Sequence, residues 1–449
     1  MDALMQSAAQ RALQYLEKLN SRSVAPAPAA LKDLSKLDYA LPEGPAPAGE
    51  VLSELDDIGS PATTANAGGR YFGFVTGGAL PATLAANWLA GAWDQNAFSV
   101  LTSPAAVTIE NIALGWVLDA LDLPEDCGGA FVTGATMANF TALAAARHHV
   151  LAAEGWDVDA DGLFGAPPIT VVVGEEVHPT LLKSLGLLGL GRQRVVKAPV
   201  DDQGRIRVDT FPVLTGPTIV CLQAGNVNTG AFDPVGQICG RAHDVGAWVH
   251  VDGAFGIWAA AAPERAHLAA GVNQADSWAT DGHKWLNVPY DCGIAMVRHS
   301  EALRAAMSIT AAYLPDEATR EPMHYTPEAS RRARGIEVWA ALRSLGRSGL
   351  ADLVERNCRL AARFTDAFRT DGITVLNEVV LNQVLVKFGD TGRTKEIIRR
   401  VQEDGTCWCG ETVWQGHTAM RISVSSWKTT ETDVDESVTA ILRIVHESR

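Results

Sequence analysis

The stretch DGHKWLNVPYDCG, residues 281–293, places a lysine between a histidine and a tryptophan in a segment with few other charges. Lys284 could be an ordinary surface residue. Beside Trp285 and Leu286 it could instead lie in a pocket where desolvation favours the neutral amine, which is the form that attacks a carbonyl carbon. The stretch therefore makes Lys284 a candidate for forming a Schiff base.

A second segment, GGAFVTGATMAN at residues 128–139, runs from an apolar strand through small residues into a helix. Backbone N–H groups, a threonine hydroxyl and the positive end of a helix dipole can bind a phosphate at such a turn. The segment has neither the GK[ST] of a Walker A loop nor the G-x-G-x-x-G of a dinucleotide site. Because small residues at a strand-to-helix turn are often purely structural, this turn alone indicates a phosphate site only weakly.

Asp252 and His178 also follow predicted strands. Asp252 ends the apolar strand in AWVHVDGAFG, where a buried carboxylate either caps the next loop or needs a partner such as a protonated pyridine nitrogen. His178 follows PITVVVG and either makes local hydrogen bonds at a helix start or stacks on a planar cofactor. Carboxyl ends of parallel strands meet at one sheet edge, so these groups and Lys284 are expected to converge. Together they are what pyridoxal phosphate requires of a protein.

Composition indicates a folded protein whose partners are small molecules. The net charge of −15 opposes attraction to nucleic acid and to anionic membranes. No stretch reaches the roughly 20 apolar residues of a membrane span, and residues 1–20 lack the pattern of a signal peptide. Seven cysteines with one close pair, Cys407 and Cys409, favour a reduced cytoplasmic compartment and give no complete metal site.

The order of strand-like and helix-like segments predicts an α/β fold. Residues 1–60 are interpreted as a helical N-terminal arm followed by an extended Pro/Ala connector. Between residues 61 and 325, GGAFV, PITVVVG, TIVCLQA, AWVHVDGA and CGIAMVR alternate with helical stretches, which predicts a large domain with a mainly parallel sheet. Residues 326–449 combine a long helical region with the strand-like GITVLN, NQVLVKFG and MRISVSS, which predicts a smaller α+β domain.

These segments resemble the group II pyridoxal-phosphate-dependent amino acid decarboxylases, which share the fold of aspartate aminotransferase. The most specific stretch, ADSWATDGHKWLNVPYDCG at residues 275–293, is similar to the family's HKW segment with its downstream DCG. HVDGAFG is similar to HVDAAxGG, VHPTLLKSLGLLGLG to the segment with the stacking histidine, and SRRARGIEVWAALRSLG to the helix near the domain junction. The resemblance covers roughly residues 65–345 and implies fold type I, with a large domain that binds pyridoxal 5′-phosphate.

The resemblance also implies a role for each matching residue. Lys284 would form the internal aldimine, and Asp252 would pair with the pyridine nitrogen. His178 would stack above the ring, and Ala254 would pack beneath it. The phosphate would be held by four residues: Gly134, Ala135, Thr136 and His283. A segment similar to the family's aromatic entrance would supply the substrate pocket through Phe72, Phe74 and Thr76, although aromatic residues at this density are as often part of a core.

Two departures from the family pattern concern the substrate and the phosphate. Where the family commonly shows GTT before a G-A-x-D segment, this chain has GNVNTGAFDP, so the usual hydroxyls are replaced by Asn226, Val227 and Asn228. Contacts to a substrate carboxylate cannot be carried over to these positions. Asp281 stands where a neutral residue is usual, and a second anion beside a phosphate would be unfavourable. We therefore expect Asp281 to pair with an arginine or to point away.

The expected reaction is α-decarboxylation of an L-amino acid through a Lys284 Schiff base. A different fold-type I enzyme, either a carbon–carbon lyase or aldolase or an aminotransferase, is the alternative, because it would keep the cofactor residues and change only the pocket. A non-catalytic protein of this fold would be expected to have lost Lys284. A homodimer is also expected, because in this fold family the active site lies at the subunit interface and the N-terminal arm packs on the partner.

The segment AAYLPDEATREPMHYTPEAS, residues 311–330, is predicted to be a surface loop. It contains three prolines and several charges but no sustained apolar period. It follows the lysine segment, so it could close over the site and deliver the acid that protonates Cα. Tyr325 is the first candidate for that acid and His324 the second.

Overall fold

The computed structural model describes residues 1–308 and 320–448, which divide into two compact units. The larger unit comprises Gly77–Ala361 and Asn377–Gln383, and the smaller one comprises Met1–Thr76, Ala362–Leu376 and Val384–Arg449. The boundary expected at residue 326 differs from this division. The reason is that one long helix continues past residue 361, and that the N-terminal arm clusters with the C-terminal segments.

A seven-stranded sheet of order β1-β7-β6-β5-β4-β2-β3 lies in the larger unit. The strands are β1 (Gly128–Val132), β2 (Thr170–Gly174), β3 (Val196–Ala198), β4 (Thr218–Gln223), β5 (Trp248–Asp252), β6 (Ser277–Asp281) and β7 (Gly293–Val297). Strands β2 to β6 pair in parallel, whereas β7 runs antiparallel to both β1 and β6. Residues 282–292 contain no crossover helix, which a parallel return would need. As a result the carboxyl ends of β1, β2, β4, β5 and β6 share one edge.

Apolar composition explains which strands were predicted. β1, β4, β5 and β7 are buried along their whole length and read as continuous apolar runs, as strands covered on both faces do. The two strands that were missed are β3, which has only three residues and is partly exposed, and β6, whose sequence SWATD mixes polar and apolar residues.

In the described residues the helices are α1 (Asp2–Lys18), α2 (Pro28–Asp33), α3 (Ala48–Ala62), α4 (Pro81–Trp93), α5 (Pro104–Ala120), α6 (Ala135–Ala152), α7 (Val158–Asp161), α8 (Pro179–Leu187), α9 (Val235–His243), α10 (Ser300–Met307), α11 (Gly335–Thr370), α12 (Thr391–Asp404) and α13 (Glu431–Glu447). Helix α11 is interrupted at Gly346, where φ is +59°. A buried apolar cluster that includes Leu143, Leu185, Ile219 and Leu303 packs α6, α8 and α10 on the sheet. None of the helices in these ranges combines the length and apolar character needed to cross a membrane.

The smaller unit contains most of a second sheet, of order β10-β11-β9-β8. Its strands are β8 (Thr374–Val375), β9 (Gln383–Lys387), β10 (Gly410–Trp414) and β11 (His417–Ser423). The three strands predicted from sequence are β8, β9 and β11, and β10 was not predicted. Helices α12 and α13 complete the α+β arrangement.

The N-terminal 60 residues contain more helix than the sequence indicated. Part of the Pro/Ala connector forms α2, and α3 follows at Ala48. Pro28 is the first residue of α2, a position where proline costs no hydrogen bond, so a proline-rich stretch can still begin a helix. None of the residues in α1, α2 and α3 is buried.

The second half of the predicted surface loop is held in the larger unit rather than exposed. Glu321 accepts a hydrogen bond from the Val100 N–H at 2.8 Å, and the Met323 N–H donates to the Phe98 carbonyl at 3.2 Å. Both residues are buried, as is Thr326. The expectation of a surface segment is therefore wrong for residues 320–326, because these contacts replace water. Residues 309–319 lie outside the described residues.

Candidate active site

One cavity of about 230 Å³ opens at the carboxyl edge of the large sheet. It brings together all eight residues predicted to bind the cofactor, which come from the ends of β1, β2, β5 and β6. The lining residues are Gly134, Ala135, Thr136, His178, Thr180, Gln223, Gly225, Val227, Asp252, Ala254, Phe255, Asp281, His283 and Lys284.

Lys284 pairs with Asp281 inside this cavity. Its Nζ lies 2.9 Å from Asp281 Oδ2, and its side chain is 21% exposed. The other carboxylate oxygen accepts a hydrogen bond of 2.5 Å from the Ala135 N–H, in the first turn of α6. The expectation that Asp281 pairs with an arginine or points away is wrong, because a lysine and a helix N-terminus supply the positive charge that its buried carboxylate needs. Lys284 accordingly faces a carboxylate as well as apolar neighbours.

Asp252 is buried at the end of β5 and faces the cavity. It accepts hydrogen bonds from Asn139 Nδ2 at 3.2 Å and from the Ala254 N–H at 3.1 Å. Both donors are neutral, and in the described ranges no cation pairs with this carboxylate. A carboxylate offers about four acceptor positions, so Asp252 can accept a further hydrogen bond from a cationic N–H in the cavity.

His178 combines the two roles weighed from sequence. Its Nδ1 lies 2.6 Å from the Thr180 hydroxyl and accepts from the Thr180 N–H at 3.3 Å, so it caps α8. The same side chain lines the cavity. Because the cap on α8 holds its Nδ1, the His178 ring has a fixed orientation in the cavity wall, where a planar ligand can stack on it.

His283 is held by the loop that follows Lys284. Its Nδ1 accepts a hydrogen bond from the Cys292 N–H at 3.1 Å, and its ring stacks on Tyr290 with 4.2 Å between centroids. Burial lowers the pKa of His283. With Nδ1 accepting, the neutral ring carries its proton on Nε2, which lies 3.6 Å from Asp281 Oδ1, the oxygen that accepts from the first turn of α6.

The backbone of the lysine turn is locked by Asn287. This buried residue has φ +55°, and its Oδ1 accepts from the Gly78 N–H at 2.7 Å while its Nδ2 donates to the Trp285 carbonyl at 2.8 Å. A Cβ on Gly77 would overlap the Lys284 carbonyl oxygen, so a glycine is needed for this close approach. Sequence reasoning did not single out either position.

Six lining residues were not predicted as part of the site: Thr180, Gln223, Gly225, Val227, Phe255 and Asp281. Most follow the end of a strand or a predicted site residue by one to four positions, and that spacing was the available signal. Val227 faces the cavity, whereas Asn226 Oδ1 accepts from the Asn228 N–H at 2.9 Å and shapes the turn.

The residues predicted for the acid and the substrate pocket are placed elsewhere. The Tyr325 ring packs against the apolar cluster on α6 and α8, with the Arg320 guanidinium 4.5 Å from its centroid. His324, the preceding residue, is buried, and neither His324 nor Tyr325 lines the cavity. Phe72, Phe74 and Thr76 belong to the smaller unit, where Phe72 is buried and Phe74 is 65% exposed.

Comparison with known proteins identifies what the chain is similar to. A family model described as "Pyridoxal-dependent decarboxylase conserved domain" matches residues 28–388. Tryptophan decarboxylase 1 of Oryza sativa subsp. japonica is 28% identical over 92% of this chain and 87% of that protein. Phenylacetaldehyde synthase of a Rosa hybrid cultivar is 26% identical over 75% of this chain and 69% of that protein. The crystal structure of Oryza sativa TDC with PLP and tryptamine has a TM-score of 0.89 at 25% identity and covers 99% of this chain and 97% of that one.

The Asp281 carboxylate should weaken binding of a phosphate at the start of α6. In Asp281→Asn the amide oxygen can still accept from Ala135, but the anion beside the phosphate and the partner of Lys284 are both lost. We expect pyridoxal phosphate to bind about tenfold more tightly to this variant, as measured by equilibrium dialysis.

Two comparisons separate the causes of that effect. The affinity for pyridoxal, which has no phosphate, changes only through the loss of the Asp281 partner of Lys284. Asp276→Asn is the control variant, because it removes the charge of a buried aspartate that does not line the cavity. Weaker binding of pyridoxal phosphate in Asp281→Asn than in Asp276→Asn would contradict the electrostatic argument.

Proposed function

Because the chain belongs to the pyridoxal-dependent decarboxylase family, we infer that it is a pyridoxal phosphate-dependent carboxy-lyase, which converts an L-amino acid to the corresponding amine and CO₂. The family model spans most of the chain, including every residue that lines the cavity. The single structural observation that carries the inference is a lysine amine, a buried carboxylate and a helix N-terminus in one cavity.

The donor and acceptor groups of the cavity suit this cofactor. When bound, pyridoxal phosphate supplies an aldehyde that bonds to a lysine amine and a ring that accepts the electron pair left by CO₂. The first turn of α6 and His283 Nε2 would bind the phosphate oxygens, which are acceptors. Asp252 would accept from the ring nitrogen and His178 would lie against the ring face, while Ala254 is small enough to pack on the other side.

Lys284 has two tasks in this proposal. Its Nζ would bind the cofactor and give it up when the substrate amine arrives. Once released, Nζ lies within reach of Asp281, 2.9 Å away, which keeps the ammonium in the cavity rather than in solvent. The lock at Asn287 holds the lysine backbone during both states.

We propose an aromatic L-amino acid as the substrate. Several relatives carry names that specify tryptophan, tyrosine or DOPA. In the smaller unit Phe74 stacks on Trp408 with 5.5 Å between centroids, and Tyr71 stacks on the same ring at 5.1 Å. Phe74 is 65% exposed, whereas Phe72 is buried and packs against Phe364.

A panel of L-amino acids tests the function. Purified protein with pyridoxal phosphate should release CO₂ and amine from tryptophan, tyrosine or phenylalanine. Lys284→Ala should lose the visible absorbance of the bound cofactor and all turnover while keeping the wild-type circular dichroism spectrum, because it removes the nucleophile and opens no large core cavity. A retained absorbance band in Lys284→Ala, or keto acid in place of CO₂, would overturn the assignment.

A second activity deserves measurement in the same assay because two of the relatives are phenylacetaldehyde synthases. Aldehyde and ammonia in place of amine, formed with dioxygen as the two-electron oxidant and hydrogen peroxide as its product, would identify this chain as an aldehyde-forming member of the family. The two products separate cleanly by chromatography, so one experiment decides between them.

We propose Tyr325 as the acid that protonates Cα, which requires its ring to leave the apolar cluster on α6 and α8, because it does not line the cavity in this structure. Tyr325→Phe should slow amine formation and divert part of the product to aldehyde, with pyridoxal phosphate affinity unchanged, since the variant removes one hydroxyl. The measurement is the ratio of amine to aldehyde at full substrate consumption. A wild-type rate and ratio would remove Tyr325 from the mechanism and leave its ring with the packing role described above.

We also propose that the chain works as a homodimer in the cytoplasm. Helices α4 and α5 leave large apolar side chains exposed, namely Trp88, Leu89, Trp93, Ile112 and Trp116. Helices α1, α2 and α3 bury no residue, as expected of an arm that packs on a partner. All seven cysteines are buried and unpaired, which suits a reducing compartment.

Light scattering with size-exclusion chromatography tests the dimer. Leu89→Glu and Trp93→Glu should shift the protein from dimer to monomer and lower cofactor affinity, because each puts a charge into the proposed contact. Phe164→Glu is the control, since Phe164 is 98% exposed in a different segment. A wild-type monomer with full activity at micromolar concentration would exclude the dimer.

A further inference from the structure

A chain of buried hydrogen bonds runs from the centre of the large sheet to Asp252. Trp248 Nε1 donates to Ser277 Oγ at 2.8 Å, and Ser277 Oγ lies 2.8 Å from His250 Nδ1. His250 Nε2 lies 2.7 Å from Asn139 Oδ1, and Asn139 Nδ2 donates to Asp252. All the side chains between the two ends are fully buried.

Chemistry at the two ends allows only one direction of donation along this chain. The Trp248 indole N–H can only donate, and the Asp252 carboxylate can only accept. Asn139 must therefore turn its NH₂ toward Asp252, because its oxygen would face a carboxylate oxygen in the other orientation. Its oxygen then accepts from His250, which requires the proton on Nε2.

Burial keeps His250 neutral, so that this direction persists. The pKa of His250 is lowered to about 3 by its burial in the sheet. A neutral ring with a proton on Nε2 has an acceptor at Nδ1, and the Ser277 hydroxyl is placed to donate to it. Every member of the chain is then satisfied, and buried networks of this kind are rigid.

Asn139 also connects the two ends of the cavity. It lies on α6, one turn after Ala135, whose N–H is in the first turn at the phosphate end. The same helix therefore sets the position of the anion site and, through Asn139, the position of the Asp252 carboxylate. Neither Asn139 nor His250 lines the cavity, so both would act through Asp252.

We propose that Asn139 and His250 are positioning residues that hold the Asp252 carboxylate ready for the cofactor ring through a one-directional hydrogen-bond chain anchored at Trp248. The proposal rests on the proposed function, because it concerns how the site receives pyridoxal phosphate. It assigns an effect on cofactor affinity to Asn139 of α6 and His250 of β5, two buried residues that do not line the cavity.

The hydrogen-bond direction can be tested in the wild-type protein without cofactor. In protein labelled with ¹⁵N-histidine, the His250 ring, identified by its loss in His250→Gln, should give the shifts of the neutral Nε2–H tautomer from pH 5 to pH 8. Titration of this signal near the ordinary histidine value, or an Nδ1–H tautomer, would overturn the proposal.

Cofactor affinity provides the second test. Asn139→Asp keeps the shape but faces Asp252 with an acceptor, so the dissociation constant for pyridoxal phosphate should rise about tenfold or more. Thr141→Ala is the matched control, because Thr141 is an equally buried polar residue of α6 whose hydroxyl donates to the Met137 carbonyl at 2.7 Å. The same dissociation constant for Asn139→Asp and Thr141→Ala would contradict the proposal.

A pair of histidine variants separates positioning from packing. His250→Gln can place an N–H near the position of Nε2 and should keep the dissociation constant within about threefold of wild type. His250→Asn is too short to reach Asn139 and should bind as weakly as Asn139→Asp. Equal affinity of His250→Gln and His250→Asn for pyridoxal phosphate would contradict the proposal. If wild-type protein itself shows no visible cofactor band, the proposed function fails, whereas the ¹⁵N result still decides the hydrogen-bond direction.

Discussion

The parallel pairing of β4, β5 and β6 is the constraint on which the site depends. In this register Gln223 lies opposite Asp252, and Asp252 lies opposite Ala279, so the three strands end at the same edge. Groups that are far apart in sequence therefore meet without any loop having to reach across the sheet. The reversal of β7 is equally necessary, because it turns the chain back at this edge and leaves the lysine turn there.

Two buried aspartates face one cavity with opposite surroundings. Asp252 is held by neutral donors, which leaves its charge available to a cationic partner in the cavity. Asp281 is already compensated by Lys284 and by the first turn of α6. Because a buried carboxylate is stable only with such partners, the difference between their neighbours assigns the two residues different roles. Asp252 is therefore the carboxylate open to a cationic partner, whereas Asp281 is the partner of the lysine amine.

Helix α6 links these two carboxylates. Its first turn contacts Asp281 through Ala135, and its second turn contacts Asp252 through Asn139. A helix rises 1.5 Å per residue and bends little over one turn, so the spacing between the two anchoring points is set by backbone geometry. The buried hydrogen bonds from Trp248 to Asn139 then orient the Asn139 side-chain amide, so that its NH₂ faces Asp252. The packing of α6 in the core therefore also sets the orientation of the two carboxylates in the cavity.

The sequence by itself determined the fold class and the residues that line most of the cavity. Most of the buried parallel strands read as apolar runs, and Asp252, His178 and the turn at Gly134 each lie at or shortly after the end of such a run, whereas Lys284 follows β6, which mixes polar and apolar residues. This local order is enough to place Asp252, His178 and the turn at Gly134 at one edge, because parallel strands share a direction. The resemblance to a known family added the cofactor and the reaction, and the family model then confirmed both.

Only the tertiary structure decided which groups pair. Asp281 finds Lys284 three residues away but also Ala135, which is 146 positions distant in the chain, and no pattern in the sequence couples them. The residues around Met323 look like a surface loop in composition, yet they are buried by hydrogen bonds to the segment near Phe98. The direction of the His250 chain likewise follows from a donor and an acceptor that meet only in the folded core. Side-chain pairing depends on distances between segments that are remote in sequence, whereas local composition indicates where most buried strands lie along the chain.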